Sequence, residues 1–120
     1  MAKVMVVDDA YSELKLMESI LRGVGHEVVT LLDGDALEDK VTAERPDVLL
    51  LDIVMPRRNG YDLLRALKRN ADTRATPVVL VSSKNQESDR AWGKRQGADD
   101  YLGKPFTSDQ LLTAVGRLVR

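Results

Sequence analysis

The sequence has no cysteine and a single histidine, His26, so several common kinds of site have no residues to build them. Without cysteine there is no disulfide framework, thiolate metal centre or cysteine nucleophile. A zinc site or a serine–histidine pair would depend on His26 alone. No apolar run approaches the ~20 residues that a membrane-spanning helix needs. The opening MAKVMVVDD reaches acidic residues too early for a secretory signal. We therefore expect a cytoplasmic protein without membrane insertion.

The composition is that of one ordinary globular domain, which we place over residues 1–120. Hydrophobic residues make up 43% of the chain and charged residues 31%. The net charge of −1 and the isoelectric point near 5.8 argue against nucleic-acid binding. The charges are unevenly spread, with a net −7 over residues 1–56 and +6 over residues 57–120. An acidic centre in the first half could recruit a cation.

Short apolar runs alternate with segments of helical periodicity along the whole chain. The runs predict strands over residues 4–7, 27–32, 48–51, 78–81 and 101–102. The periodic segments predict helices over residues 12–22, 36–44, 61–70, 87–96 and 108–118. We expect Asp35 and Ser108 to cap the second and fifth helices.

Five successive strand–helix units imply a parallel sheet with helices on both faces. The third run, VLLL, is apolar at every position, as expected for a strand covered on both sides. Because crossovers are right-handed, the fold class we predict is a doubly wound α/β sandwich of five parallel strands. The predicted strand order is 2-1-3-4-5, a flavodoxin-like arrangement.

Polar side chains follow four of the five predicted strands. Asp8 and Asp9 follow the first, Asp52 the third, Ser82 the fourth and Lys104 the fifth. The carboxyl ends of parallel strands share one edge, where ligands bind in such sheets. Three carboxylates that close cannot all ionise without compensation. A divalent cation and the lysine would supply it, and an all-oxygen ligand set favours Mg²⁺.

The segments VMVVDD, LLLDIVMPRRNG, PVVLVSSK and DDYLGKPF together resemble a response-regulator receiver domain of two-component signalling, across all 120 residues. Within that family, SSKNQESDRAWGKRQGADDYLGKP resembles the single-domain receivers of twitching-motility systems, which control type IV pili through a chemotaxis-like pathway.

The resemblance implies a role for each residue at the strand ends. Asp52 would accept a phosphoryl group from a sensor histidine kinase or a phosphotransfer domain. Asp8, Asp9, Asp52 and the carbonyl of Val54 would hold Mg²⁺. Lys104 would pair with the phosphoryl oxygens, and its bond to the following proline would be cis.

The resemblance also implies a switch. Ser82 would donate a hydrogen bond to the phosphoryl group, and the ring of Tyr101 would swing inward with it. Trp92, on the fourth helix, would help to bind a downstream protein at the face of the fourth helix, fifth strand and fifth helix. We expect a monomer, with dimerisation on phosphorylation left open. The chain would not be an enzyme beyond assisting its own phosphorylation and slow dephosphorylation.

The sequence also leaves two other hypotheses open. The chain could be the receiver part of a larger transcriptional regulator. It could also be a Mg²⁺-dependent phosphatase with an aspartyl nucleophile, although such enzymes usually place a second aspartate where Val54 stands. A nucleotide-binding module is disfavoured because neither glycine-rich phosphate-binding motif is present.

Overall fold

The computed structural model describes residues 2–119 as ten alternating strands and helices. They are β1 (Lys3–Val7), α1 (Tyr11–Gly23), β2 (Glu27–Leu31), α2 (Leu37–Glu44), β3 (Val48–Asp52), α3 (Gly60–Arg69), β4 (Val78–Ser82), α4 (Glu87–Arg95), β5 (Asp100–Gly103) and α5 (Ser108–Leu118). The predicted alternation is confirmed, and every boundary lies within one residue of the expected position. Met1 and Arg120, the ends of the predicted domain, lie outside the described residues.

The strands form one parallel sheet in the order β2-β1-β3-β4-β5, which confirms the predicted fold class. In this register Val7 pairs with Leu51, and Ser82 pairs with Gly103. The carboxyl ends of β1, β3, β4 and β5 therefore finish level with one another. Residues that follow these strands meet at one edge of the sheet.

The central strands are buried at every residue because helices cover both faces. Successive side chains of a strand point to opposite faces. Leu49 and Leu51 accordingly join the core beneath α2 and α3, whereas Leu50 joins the core beneath α1 and α5. This packing explains why β3 is apolar throughout rather than alternating. Among the described residues, no helix has both the length and the apolarity to cross a membrane.

Two predicted helix caps are wrong. Thr107, not Ser108, caps α5, because its hydroxyl accepts the Gln110 N–H at 3.1 Å while the Gln110 side chain accepts the Thr107 N–H at 2.9 Å. This reciprocal capping box satisfies two N–H groups at once. Asp35 does not cap α2, whose first turn follows Ala36 in a left-handed conformation with φ of 55°.

Two helical glycines differ sharply in their surroundings and predict opposite responses to alanine. A Cβ at Gly93 in α4 would lie 3.0 Å from both Leu80 Cδ1 and Tyr101 Cδ2, whereas a Cβ at Gly116 in α5 would meet nothing within 4 Å. Gly116→Ala should therefore raise the free energy of unfolding by about 0.5–1 kcal/mol through helix propensity. Gly93→Ala should gain nothing or lose stability, because the tight contacts offset that gain.

Urea denaturation of the two single variants measures both effects against the parent chain. Gly116→Ala is the matched control, since it makes the same chemical change in an exposed helix position. An equal gain in both variants would contradict the close packing of α4 on Tyr101.

Candidate functional site

Three carboxylates gather at the carboxyl edge of the sheet. Asp8 follows β1 and Asp52 ends β3, and these strands are neighbours with Val7 paired to Leu51. Asp9 is next along the chain, and one oxygen from each of the three aspartates lies within 4.8 Å of the others. Asp8 and Asp52 are buried and Asp9 is exposed. The predicted meeting of these residues is confirmed.

Asp8 is held in place by the turn that leads from β1 into α1. Its N–H donates to the carbonyl of Leu31 at 3.1 Å, which continues the pairing with β2. Its carboxylate accepts the N–H of Ala10 at 2.9 Å. The second carboxylate oxygen faces the cleft, where it accepts a hydrogen bond from Lys104 at 3.0 Å. Asp8 thus shapes the turn and contributes charge to the site.

The backbone after β5 brings Lys104 back over the sheet edge. Its N–H donates to the carbonyl of Ser82 at 2.8 Å, so the β5–α5 loop stays attached to the end of β4. The Lys104–Pro105 peptide bond is cis, as the resemblance implied.

The ammonium of Lys104 contacts three carboxylates. Its Nζ lies 3.0 Å from Asp8 Oδ2, 3.0 Å from Glu13 Oε2 and 3.4 Å from Asp52 Oδ1. The Lys104 side chain is only 12% exposed, so these ion pairs are screened less than surface pairs. The ammonium therefore balances part of the negative charge at the sheet edge.

Glu13 is a site residue that was not predicted from the sequence. The residue lies in the first turn of α1, four positions after Asp9, which precedes the helix, and both line the same cleft. Acidic residues are common in the first turn of helices, so the sequence pattern gave no signal that would single out Glu13.

The titration behaviour of the site follows from burial and crowding. Burial, with the negative charge of Asp8, raises the pKa of Asp52 to about 6, and Lys104 opposes the rise. Burial lowers the pKa of Lys104, but the hydrogen bonds that its ammonium donates to Glu13 and Asp8 outweigh that effect and raise it overall. Four carboxylates around one ammonium leave a surplus of negative charge, which a bound cation would relieve.

Ser82 and Tyr101 meet at the same residue of the β4–α4 loop. The buried hydroxyl of Ser82 accepts the N–H of Lys84 at 3.1 Å, and the Tyr101 hydroxyl donates to the Lys84 carbonyl. The Tyr101 ring is only 3% exposed, and burial raises its pKa to about 12. The structure therefore has the ring in the inward position. The coupled movement of the two side chains stays a prediction.

The loop after Asp52 turns back tightly towards the sheet. Gly60 begins α3 and its N–H donates to the Ile53 carbonyl at 2.8 Å, and a Cβ there would lie 2.5 Å from the Asp52 carbonyl oxygen. Only glycine fits so close an approach. The Arg58 guanidinium donates to both carboxylate oxygens of Glu38, at 3.2 and 2.9 Å, and so fastens this loop to α2.

These residues surround an open cleft of about 440 Å³, lined by Asp9, Glu13, Asp52, Val54, Ser82, Ser83, Lys104 and Pro105. The Val54 side chain is exposed beside it. Trp92 lies elsewhere, on α4, where its ring is half exposed and stands 5.5 Å from the Arg95 guanidinium. The structure thus brings the predicted acceptor, metal-ligand and phosphoryl-binding residues together, whereas Tyr101 contacts only the neighbouring Lys84 and Trp92 lies apart.

The chain belongs to the response regulator receiver domain family, whose model matches residues 4–116. The chain is 41% identical to Protein PilH of Pseudomonas aeruginosa, and the match covers 99% of this chain and 98% of PilH. PilH is thus itself no longer than one receiver domain.

Solved structures carry the same fold. Chemotaxis protein CheY4 of Vibrio cholerae superposes with a TM-score of 0.90 at 31% identity, covering 99% of both chains. The receiver domain of sensor histidine kinase PA1611 from P. aeruginosa, at 26% identity and a TM-score of 0.88, covers 98% of this chain and 96% of its own. That structure holds a magnesium ion in its active-site cleft.

Removing the Asp52 carboxylate should stabilise the protein when divalent cations are absent. The pKa of Asp52 is about 6 in the folded protein, against an ordinary value of 3.8. The folded protein therefore binds this proton more tightly than the unfolded chain does. As a result, the free energy of unfolding falls as the pH rises from 3.8 to about 6. Above about pH 6, Asp52→Asn should be more stable than the parent. The difference in the free energy of unfolding between the two proteins should become smaller as the pH falls towards 3.8.

Urea denaturation in a chelating buffer, on both sides of this range, measures the difference. Asp72→Asn is the control, because it removes an exposed carboxylate outside the cleft. A parent chain that is more stable than Asp52→Asn at neutral pH would contradict the electrostatic account.

Proposed function

We propose that the protein is a phosphorylation-dependent signalling switch, with Asp52 as the acceptor. The observation that carries the proposal is the Asp52 carboxylate itself, held at the end of β3 between two further aspartates and a lysine. Phosphoryl transfer needs an oriented nucleophile and compensation for charge on the transferred group, and little else. The donor would be a phosphohistidine on a histidine kinase or a phosphotransfer domain, which places the protein in the cytoplasm.

In this reaction an oxygen of Asp52 attacks phosphorus and the phosphorus–nitrogen bond of the donor breaks. The electron pair of that bond stays on the histidine nitrogen, and Asp52 becomes an acyl phosphate. Lys104, 3.4 Å from the Asp52 oxygen, is placed to pair with the new phosphoryl oxygens. The Ser82 hydroxyl lines the same cleft and can donate a hydrogen bond to them. Ser83 is small and leaves room for the group.

The residues present fit a magnesium ion. Asp8, Asp9 and Asp52 offer oxygen ligands and surplus negative charge, and Val54, whose carbonyl would complete the protein ligands, lines the cleft. The magnesium ion in the related PA1611 receiver supports this assignment. When bound, Mg²⁺ would neutralise the charge that develops on the transferred group.

The output would leave through α4, β5 and α5. A second cleft of about 440 Å³ lies between these elements and is lined in part by Arg90, Tyr101 and Gln110. Tyr101 contacts both this cleft and, through Lys84, the loop beside Ser82. The exposed Trp92 is a candidate anchor for a downstream protein, since tryptophan is common among residues that dominate binding. The twitching-type sequence pattern supports a role in motility.

A phosphatase is the second candidate, and the structure offers it less support. Val54 borders the cleft but its side chain can neither donate nor accept a proton. Turnover would lack an acid–base group at the position where such phosphatases usually carry one. We therefore propose slow self-dephosphorylation rather than steady hydrolysis.

Incubation with acetyl phosphate and Mg²⁺ should add one phosphoryl group to the intact protein. Asp52→Asn should abolish the adduct, because the amide lacks the nucleophilic oxygen, whereas Asp72→Asn should keep it. Intact-mass spectrometry measures both. An adduct that persists in Asp52→Asn would contradict the acceptor assignment, and rapid continuous phosphate release would favour the phosphatase.

Mg²⁺ binding should depend strongly on Asp9, the exposed member of the cluster. A hard cation prefers charged oxygen ligands, so Asp9→Ala should weaken binding ~10-fold or more. Because Mg²⁺ would bind the folded form, it should also raise the melting temperature of the parent chain. Calorimetric titration of the parent, Asp9→Ala and the control Asp72→Ala measures the affinities. Undiminished binding by Asp9→Ala would contradict the site.

A further inference from the structure

Glu13 shares the ammonium of Lys104 with the phosphoacceptor. The Glu13 carboxylate lies 3.0 Å from Lys104 Nζ, closer than the 3.4 Å between that nitrogen and Asp52. Asp8 takes a third hydrogen bond at 3.0 Å. A lysine ammonium has three N–H donors, so these three acceptors use its whole capacity.

A phosphoryl group on Asp52 would bring further acceptor oxygens to the same cleft. Lys104 can bind these oxygens only if one of its three present hydrogen bonds breaks. Asp8 is fully buried and belongs to the cluster that could hold a cation, whereas the Glu13 side chain is 44% exposed. Glu13 is thus the partner that can leave Lys104 most easily, because water can replace the hydrogen bond that its carboxylate loses.

We propose that Glu13 is a positioning residue that competes with the phosphoryl group for the Lys104 ammonium. The inference rests on the proposed function, because it assumes a phosphoryl group on Asp52. Glu13 acts through Lys104 and makes no bond to the reacting atoms. Its pair with Lys104 stabilises the site without a phosphoryl group and so weakens the phosphorylated form. Glu13 thereby sets how readily the switch turns on.

Beryllofluoride, a phosphoryl mimic that binds to carboxylates, tests the competition directly. Its affinity is measured by calorimetry at Mg²⁺ concentrations shown by titration to saturate each variant. Glu13→Gln should bind it about fivefold more tightly than the parent, which corresponds to ~1 kcal/mol, the size expected for a partly exposed ion pair. Tighter binding is an effect that a merely loosened structure would not give.

Glu13→Asp separates positioning from simple repulsion. It keeps the negative charge but shortens the side chain, which withdraws the carboxylate from Lys104. Under our proposal it also binds beryllofluoride more tightly than the parent. Glu18→Gln is the matched control, because it removes the same charge from α1 at a residue that pairs with Lys15 and Arg22 instead.

The outcomes are distinct. Tighter binding by both Glu13 variants, with Glu18→Gln unchanged, supports the competition. Parent-like affinity in Glu13→Asp would show that the charge repels the anion from a distance, and unchanged or weaker binding by Glu13→Gln would show that Glu13 does not compete; either result overturns the inference. A parent chain that binds no beryllofluoride would instead contradict the proposed function itself.

Discussion

The crowding of carboxylates around one ammonium is the constraint on which the site depends. Asp8 in the β1–α1 loop, Asp52 at the end of β3 and Glu13 in α1 converge on Lys104, and both aspartates are almost completely buried. Buried like charges are costly unless a cation balances them. Burial and the charge of Asp8 raise the pKa of Asp52 even though Lys104 lies beside it. Negative charge therefore exceeds positive charge at this edge of the sheet. A bound cation, or a modification that changes the charge, would alter the electrostatic energy of the site.

The sheet makes that crowding possible. Adjacent parallel strands end level with one another, so residues far apart in sequence become neighbours at one edge. The interior of β3 and β4 is apolar on both faces, which fixes these strands firmly in the core. The functional groups lie just beyond this rigid platform, on loops that can rearrange while the strands stay in place.

The contacts of Tyr101 connect the acidic edge to α4. Its hydroxyl shares Lys84 with Ser82, and its ring packs against the position where Gly93 lacks a side chain. The Arg90 side chain donates to the Tyr101 carbonyl at 3.0 Å and stacks near the ring. A change at Ser82 therefore has a short, continuous path of contacts to the surface of α4.

The sequence by itself determined the fold class, the strand order and the meeting of Asp8, Asp9, Asp52, Ser82 and Lys104 at one edge. It could do so because apolar runs and helical periods are local signals, and the rules for parallel sheets turn local order into position. Only the tertiary structure decided which side chains face one another. Thr107 rather than Ser108 caps α5 because a capping box depends on backbone angles. Glu13 lies in the site because the turn after Asp8 orients α1 across the cleft. No sequence pattern within one helix encodes that orientation.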